Sequence, residues 1–581
     1  MSDPDAGWGL RDVTVCFGTR VVLDAISLQV RPGQVVAVVG GDGAGKSTLL
    51  HALTGRVLPN QGDVLTPGRE HLGYQPSTSG TWAQLSVDEN LDLVASAYDL
   101  EPSAERVRRD LLLEAAGLVT ARSRLASQLS GGMRRKLGFC MAILHEPALL
   151  VLDEPSTGVD PVSRVELWGL ITDAAANGTA VVLATTYLDE AERVHDVLVL
   201  DEGVALLRGT PAQVVSSAPG TVTRVPEASD PVRAWRRGRE VRQWHSGPPQ
   251  PGDDVVRPDL EDAVVAAALH RRGENGSAAV RRPAARHVVA DGAMSTASRV
   301  TRRFGDTTAV DTASLSVSPS EIVGLIGANG AGKTTLIRML LGVLAPTEGD
   351  VRLFGDLPSR QTRRLLGYVP QGLGLYGDLT VAENLAVVGS ANGMRPSPPE
   401  GTLADVADDL VNDIGLGQQR QLAFACALSH APNLLVLDEP TSGVDPISRA
   451  RLWDTIHQQA ESGVGLLVST HYMQEAEQSD RLVLMDLGRV VAEGSVRDII
   501  GDTTAVQIDT EHWADAFAAL RTHHLPVALS GTHVRVADTD PGSVAAILAG
   551  AQVTARVDVV PATLEEKMTA IARAGPAAGS R

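Results

Sequence analysis

The stretch "VAVVGGDGAGKSTLL" (Val36–Leu50) joins an apolar run to a glycine-rich loop and then to a lysine beside a hydroxyl. Its spacing, Gly40-x-x-x-x-Gly45-Lys46-Ser47, is that of a phosphate-binding loop, with a predicted strand before it and a predicted helix after it. Glycines in such a loop let backbone N–H groups close around phosphate oxygens at a helix N-terminus. The lysine reaches the β and γ phosphates, and the hydroxyl ligates Mg2+. A glycine-rich turn that binds nothing is the competing reading of one match. The chain supplies a second, "VGLIGANGAGKTTLI" (Val323–Ile337), with Gly327, Gly332, Lys333 and Thr334 in register. Lysine occurs only at positions 46, 136, 333 and 567 of an arginine-rich chain. Two of the four in this setting point to a compact ammonium that a guanidinium cannot replace.

The repeat extends further. "LLVLDEPSTGVDP" (Leu149–Pro161) matches "LLVLDEPTSGVDP" (Leu434–Pro446), and "LATTYLDEAE" (Leu183–Glu192) matches "VSTHYMQEAE" (Val468–Glu477). The offset is 287 residues at the phosphate loops and 285 at the later pairs, which means two tandem domains rather than a solenoid. Runs such as "VVAVVG" and "TAVVLATT" read as strands buried on both faces, alternating with helical stretches. The fold class is therefore α/β: two tandem P-loop nucleotide-hydrolase domains, each with a helical subdomain and a small C-terminal α+β extension. The expected boundaries are 1–215 and 293–500 for the two nucleotide-binding domains and 216–269 and 501–581 for their extensions. Residues 270–292, rich in Arg, Gly and Ala, form the linker. Both extensions end in a predicted short helix, within "RPDLEDAVVAAAL" and "VPATLEEKMTAIA".

At 581 residues the chain exceeds a single core. A formal net charge of −19 argues against a broad nucleic-acid surface. Three cysteines without metal-ligand spacing indicate a reduced compartment. No apolar run approaches the length of a membrane-spanning helix, so any membrane part is expected from another subunit. The basic run "VRAWRRGREVRQWH" (Val232–His245) is expected to be a solvated face of the extension, or, less simply, a contact for an anionic membrane surface.

The strand ends Asp153-Glu154 and Asp438-Glu439 offer one carboxylate to the Mg2+ shell and a second to accept a proton from attacking water. Leu129-Ser130-Gly131-Gly132 precedes this pair by 21 residues and opens a predicted helix. Phosphate loop, "LSGG", "LLVLDEP" and "GVD", in that order in the first half, resemble the ATP-binding-cassette ATPases, and the resemblance covers both halves outside extensions and linker. It implies ATP and Mg2+ as cofactors and head-to-tail pairing of the two cassettes, with ATP held between the loop of one and the "LSGG" helix of the other. The implied nucleotide-binding residues are Phe17, Gly40, Gly43, Gly45, Lys46, Ser47, Thr48, Ser130, Gly131, Gly132 and Asp160 in the first half. In the second they are Phe304, Gly327, Gly330, Gly332, Lys333, Thr334, Thr335, Gly417 and Asp445. Implied metal ligands are Ser47, Asp153, Thr334, Gln371 and Asp438. Phe17 and Phe304, each 23 residues before its loop, match the aromatic that stacks on adenine. Glu439, His471 and Gln371 match the catalytic glutamate, switch histidine and glutamine. Glu154 matches the same glutamate in the first half.

The first half departs at two of these positions: "GYQPS" places Ser77 where "GYVPQ" places Gln371, and Thr186 stands opposite His471. In the second half the signature reads Ile414-Gly415-Leu416-Gly417, with Gly417 again 21 residues before the acidic pair. Head-to-tail pairing sends every departure to one composite site. The expectation is one ATPase site, from the second-half loop and the first-half "LSGG", and one degenerate site that turns over slowly or not at all.

"LSVDENL" (Leu85–Leu91) and "LTVAENL" (Leu379–Leu385) resemble the region where transporter cassettes receive a membrane subunit. They read equally as capped helix starts. With the "PATLEE"-type ending, the resemblance is to the ABC-2 and multidrug-export branch, in its fused double-cassette form. It implies the energy-coupling subunit of an exporter, at the cytoplasmic face of the cell membrane, with one permease in two copies or as a heterodimer. The alternative is a soluble paired-cassette ATPase acting on ribosomes or other macromolecules. A DNA-repair-type cassette would need cysteine clusters or a coiled-coil insertion, and the sequence has neither.

Overall fold

The computed structural model describes residues 7–272, 292–395, 398–444, 446–523, 525–531 and 533–574. Strand Val35–Gly40 shows how each half is built. Val35, Ala37 and Val39 face a core shared with Leu167, Ile171 and Leu183, while Val36 and Val38 face another with Leu49, Leu53 and Val182. Burial on both faces is why the sequence shows an unbroken apolar run instead of alternation.

The first-half sheet has six strands in the order Leu72–Gln75, Leu149–Asp153, Ala180–Thr185, Val35–Gly40, Asp196–Asp201 and Val204–Gly209. All pair in parallel except the last two. The second half repeats this with Leu366–Val369, Leu434–Asp438, Gly465–Thr470, Ile322–Gly327, Arg481–Asp486 and Arg489–Gly494. Three neighbouring strands thus end together, bringing the phosphate loop, the acidic pair and the Thr186 or His471 segment to one edge of the sheet. A three-stranded antiparallel sheet accompanies each, with Phe17 and Phe304 at hairpin tips beside Arg20 and Thr307.

The helical subdomains differ. The first has helices Val87–Ala97, Pro102–Ala115 and Gly131–Ile143; the second has Val381–Ala391 and Leu416–Leu428, with only a 3-10 turn, Gly401–Leu403, between them among the described residues. From Ser77 to Gly132 the chain advances 55 residues, but from Gln371 to Gly417 only 46. The "LSVDENL" and "LTVAENL" segments are capped helix starts: Ser86 with Glu89, and Thr380 with Glu383, form reciprocal capping boxes.

Each extension carries a four-stranded antiparallel sheet. The ending helices are present as Leu260–Arg272 and Leu564–Ala574. The basic run is more than a solvated face. It forms the hairpin Ala234–Arg237 and Glu240–His245, with Trp235 and Trp244 buried. Its Arg236 and Arg239 pair with second-half carboxylates. Among the described residues no helix is long and apolar enough to cross a membrane.

The chain divides into two compact units. One holds Met1–Pro219, Pro258–Ala268 and Asp502–Arg581; the other holds Gly220–Arg257 and Leu269–Gly501.

Candidate functional site

Each phosphate loop hands its chain to a helix through a glycine in the left-handed region, Gly45 at φ 102° and Gly332 at φ 96°. An L side chain is strained there, which is why the motif fixes glycine at that position. Lys46 Nζ donates to Gly40 O (2.8 Å) and Gly41 O (3.0 Å); Lys333 Nζ donates to Gly327 O (2.7 Å) and Ala328 O (3.0 Å). The two cradles are copies down to the tenth of an ångström. Ser47, Thr48, Thr334 and Thr335 lie in the first turns of the helices that follow. Gly43 and Gly330 line open space: a Cβ at either would meet nothing within 4 Å.

What faces the cradles is not copied. In the second half Glu439 is buried, takes a hydrogen bond from Gln371 Nε2 at 2.9 Å, and lies 2.5 Å from His471 Nε2. Ser469 Oγ donates to Asp438 Oδ1 and accepts from the Glu439 N–H at 3.0 Å. Arg420 Nη1 donates to Glu439 O at 3.0 Å. Burial works to raise the Glu439 pKa, but the His471 hydrogen bond and charge, with Lys333 and Gln371, outweigh it and hold the carboxyl below its ordinary range. Asp438 goes the other way, raised by burial and then by the Glu439 charge.

In the first half Glu154 is more exposed. It accepts from Thr157 Oγ1 at 3.1 Å and stands 4.0 Å from Lys46 Nζ. Asp153 accepts from Ser47 Oγ at 3.5 Å, and burial raises its pKa. Ser77 is exposed in a turn, and Gln75 is buried, donating to Arg135 O at 2.9 Å. Thr186 is buried at the strand end. Both glutamates sit in the left-handed region, Glu154 at φ 47° and Glu439 at φ 52°. The backbone is therefore equally strained in the two halves, and the surrounding side chains make the difference.

Ser130 caps its helix, its Oγ accepting from Met133 N at 3.3 Å. Gly415 caps the counterpart helix without a side chain, and the Leu416 side chain lies against Gly443. Gly131 and Gly132 are at the start of the Ser130-capped helix, and Gly417 is one residue inside the other. Asp160 caps helix Pro161–Ala176 by accepting from Ser163 N at 3.1 Å. Asp445 lies outside the described residues. Phe17 and Phe304 are about half exposed, and the Arg302 guanidinium lies 4.7 Å from the Phe304 ring centre. Ser469 is the residue that motif matching passed over. Its signal was present in the paired segments, where Ala184 stands opposite it.

A family model described as "ABC transporter" matches residues 23–157 and 310–442. A probable multidrug ABC transporter ATP-binding protein of Escherichia coli, YbhF, is 34% identical over 521 residues, spanning 81% of this chain and 89% of that one. The chain belongs to the ABC transporter ATP-binding proteins. It is an ATPase of that family, with two cassettes in tandem. A putative ABC transporter ATP-binding protein of Streptomyces coelicolor is 31% identical over 84% of this chain and 94% of its own. The Nod factor export ATP-binding protein I of Paraburkholderia xenovorans is 40% identical over 215 residues, 35% of this chain and 71% of its own. Among solved structures, RNase-L Inhibitor aligns over 93% of this chain at 19% identity and a TM-score of 0.59, which shows the shared double-cassette fold.

The side chains present fit ATP with a hard divalent cation. Thr334, Asp438 and Gln371 supply hydroxyl, carboxylate and amide oxygens, the donor types Mg2+ takes beside substrate phosphates. Ser469 aims the Asp438 carboxylate.

Proposed function

We propose that the chain is the ATP-hydrolysing subunit of an ABC-2-type exporter, with one hydrolytic and one degenerate nucleotide site. The observation that carries the asymmetry is the grip on the two glutamates: Gln371 and His471 hold Glu439, whereas Thr157 and Lys46 flank Glu154. Glu439, kept ionised and oriented, takes the proton from the attacking water. Lys333 and the loop N–H groups hold the phosphates in line for that attack. Mg2+ held by Thr334, Asp438 and Gln371 would neutralise charge on the phosphate oxygens. Head-to-tail pairing, carried over from the family, completes this site with Ser130, Gly131 and Gly132. The degenerate site then combines Lys46, Ser47, Asp153 and Glu154 with Leu416. Its signature is carried by the shortened helical subdomain.

Export through a separate permease, with the chain at the cytoplasmic membrane face, rests on relatives named as a multidrug ABC transporter ATP-binding protein and a Nod factor export ATP-binding protein. The fold likeness to RNase-L Inhibitor, at 19% identity, extends to architecture alone. The test is ATP turnover of the chain reconstituted with its membrane partner, comparing Glu439→Gln with Glu154→Gln. Loss in the first and retention in the second supports the asymmetric reading; equal losses refute it.

A further inference from the structure

The compact units do not follow the repeat. The first-half chain leaves its unit at Pro219, and residues Gly220–Arg257 belong to the unit of the second-half cassette. The second-half extension, from Asp502 onward, belongs to the unit of the first-half cassette. The sheets of the extensions are exchanged, while the ending helix of the first extension returns to its own cassette's unit over Pro258–Ala268. Both exchanged parts grip the same element, the helix that follows the "GVD" loop.

In the first unit that helix is Pro161–Ala176. The Glu565 carboxylate, from the second-half extension, takes Arg164 Nη2 at 3.3 Å and also pairs with Arg193, while Arg164 pairs with Asp189 at 2.9 Å. Arg164 is 1% exposed. Arg521 reaches Asp173, near the other end of the helix, at 2.7 Å. The Trp513 ring lies 5.2 Å from that of His195. In the second unit the helix is Pro446–Glu461. Arg236, from the first-half extension, pairs with Asp454 at 3.1 Å and Glu461 at 2.6 Å. The Gly238 N–H donates to Gln478 Oε1 at 2.6 Å, and Arg239 Nε donates to Asp480 at 2.8 Å. These partners are hundreds of residues apart in sequence, 401 for Arg164 and Glu565 and 218 for Arg236 and Asp454. A buried charge left without its partner is strongly unfavourable, so contacts of this kind specify one docked arrangement.

We propose that the exchanged extensions are a clasp that holds the two cassettes together without nucleotide, each extension being a built-in ligand for the other half's post-"GVD" helix. A cassette pair that opens after every turnover loses its ATP-dependent contacts; the clasp keeps the partner at high effective concentration. The inference is independent of which site hydrolyses ATP.

The experiment uses the full chain with a protease site inserted between residues 273 and 291. The chain is cleaved, stripped of nucleotide and run by size exclusion at low micromolar concentration. The two fragments are expected to co-elute as one species near the intact 61.0 kDa. Separation into two peaks would overturn the clasp. Arg521→Asp is expected to weaken fragment association at least tenfold, and Arg521→Asp combined with Asp173→Arg to restore it. Rescue by the swapped pair shows that the single variant failed through the contact and not through misfolding. Glu566→Gln is the control, because Glu566 pairs with Arg535 inside the same extension. Association unchanged by Arg521→Asp and by Glu565→Ala would refute the assigned surface. Turnover of Glu439→Gln and Glu154→Gln is read separately and does not bear on this result.

Discussion

The two phosphate loops and the two sets of side chains facing them have diverged to different degrees. Lys46 and Lys333 rest on equivalent carbonyls at distances that agree within 0.1 Å. A few ångströms away, four second-half residues, Gln371, Ser469, His471 and Arg420, organise Asp438 and Glu439. Ser77, Ala184 and Thr186 stand at the first three of these positions in the first half. Binding a polyphosphate needs the loop, and splitting it needs an oriented base as well. On the proposed reading, a first-half site that keeps the loop while Ser77, Ala184 and Thr186 replace the glutamine, serine and histidine keeps affinity and sheds chemistry.

The comparison breaks or holds most visibly at Glu439. Glu439→Gln is expected to lower steady-state turnover about 100-fold or more, the scale of a lost general base. His471→Ala should cost about 10- to 100-fold in kcat with little change in KM, because it misplaces the base and leaves the cradle intact. Thr186→His alone is expected to restore nothing measurable, since Ser77, Ala184 and Leu416 remain. A gain in turnover from that one substitution would refute the composite-site argument. Ser469→Ala, which copies the first half, should lower kcat about 3- to 10-fold, the scale of one hydrogen bond of about 1 kcal/mol.

A smaller effect concerns pH. Burial opposes ionisation of Glu565, but Arg193 and Arg164 outweigh it and lower its pKa in the folded chain. A carboxylate with a lowered folded pKa contributes stability that is fully present above its unfolded value of about 4.3. That contribution is lost as the pH falls through the folded value. The Tm difference between wild type and Glu565→Gln should therefore shrink on acidification below about pH 4.3. A difference that is constant with pH would show that the pair carries no net charge linkage. Smallest of all, Glu154→Gln should leave turnover within about 2-fold, read as kcat/KM against wild type.

Most of the fold was legible because its signals are local. Strands buried on both faces produce unbroken apolar runs, and the loop glycines are fixed by backbone geometry that no other residue adopts cheaply. The carboxylates follow from the strand "LLVLDEP". The arrangement around Glu439 was legible only in part. Gln371 and His471 announce themselves by motif, but Ser469 is an unremarkable strand serine until the sheet places its hydroxyl between Asp438 and the Glu439 N–H. The pairing of the basic run at 232–245 was hidden for a similar reason. Composition registers its arginines, but not the carboxylates of Asp454, Glu461 and Asp480 that receive Arg236 and Arg239.

By itself the sequence determined that two cassettes stand in tandem, which loop and which acidic pair each contains, and where their motifs diverge. These are properties of short segments, whose chemistry is set by residue type and spacing. Only the tertiary structure decided what holds each glutamate, that the Ser469 hydroxyl, absent at Ala184, sits between Asp438 and the Glu439 N–H, and that the sheet of each extension packs in the unit of the other half's cassette. Those facts depend on pairings between residues tens to hundreds of positions apart, and neither spacing nor periodicity encodes them.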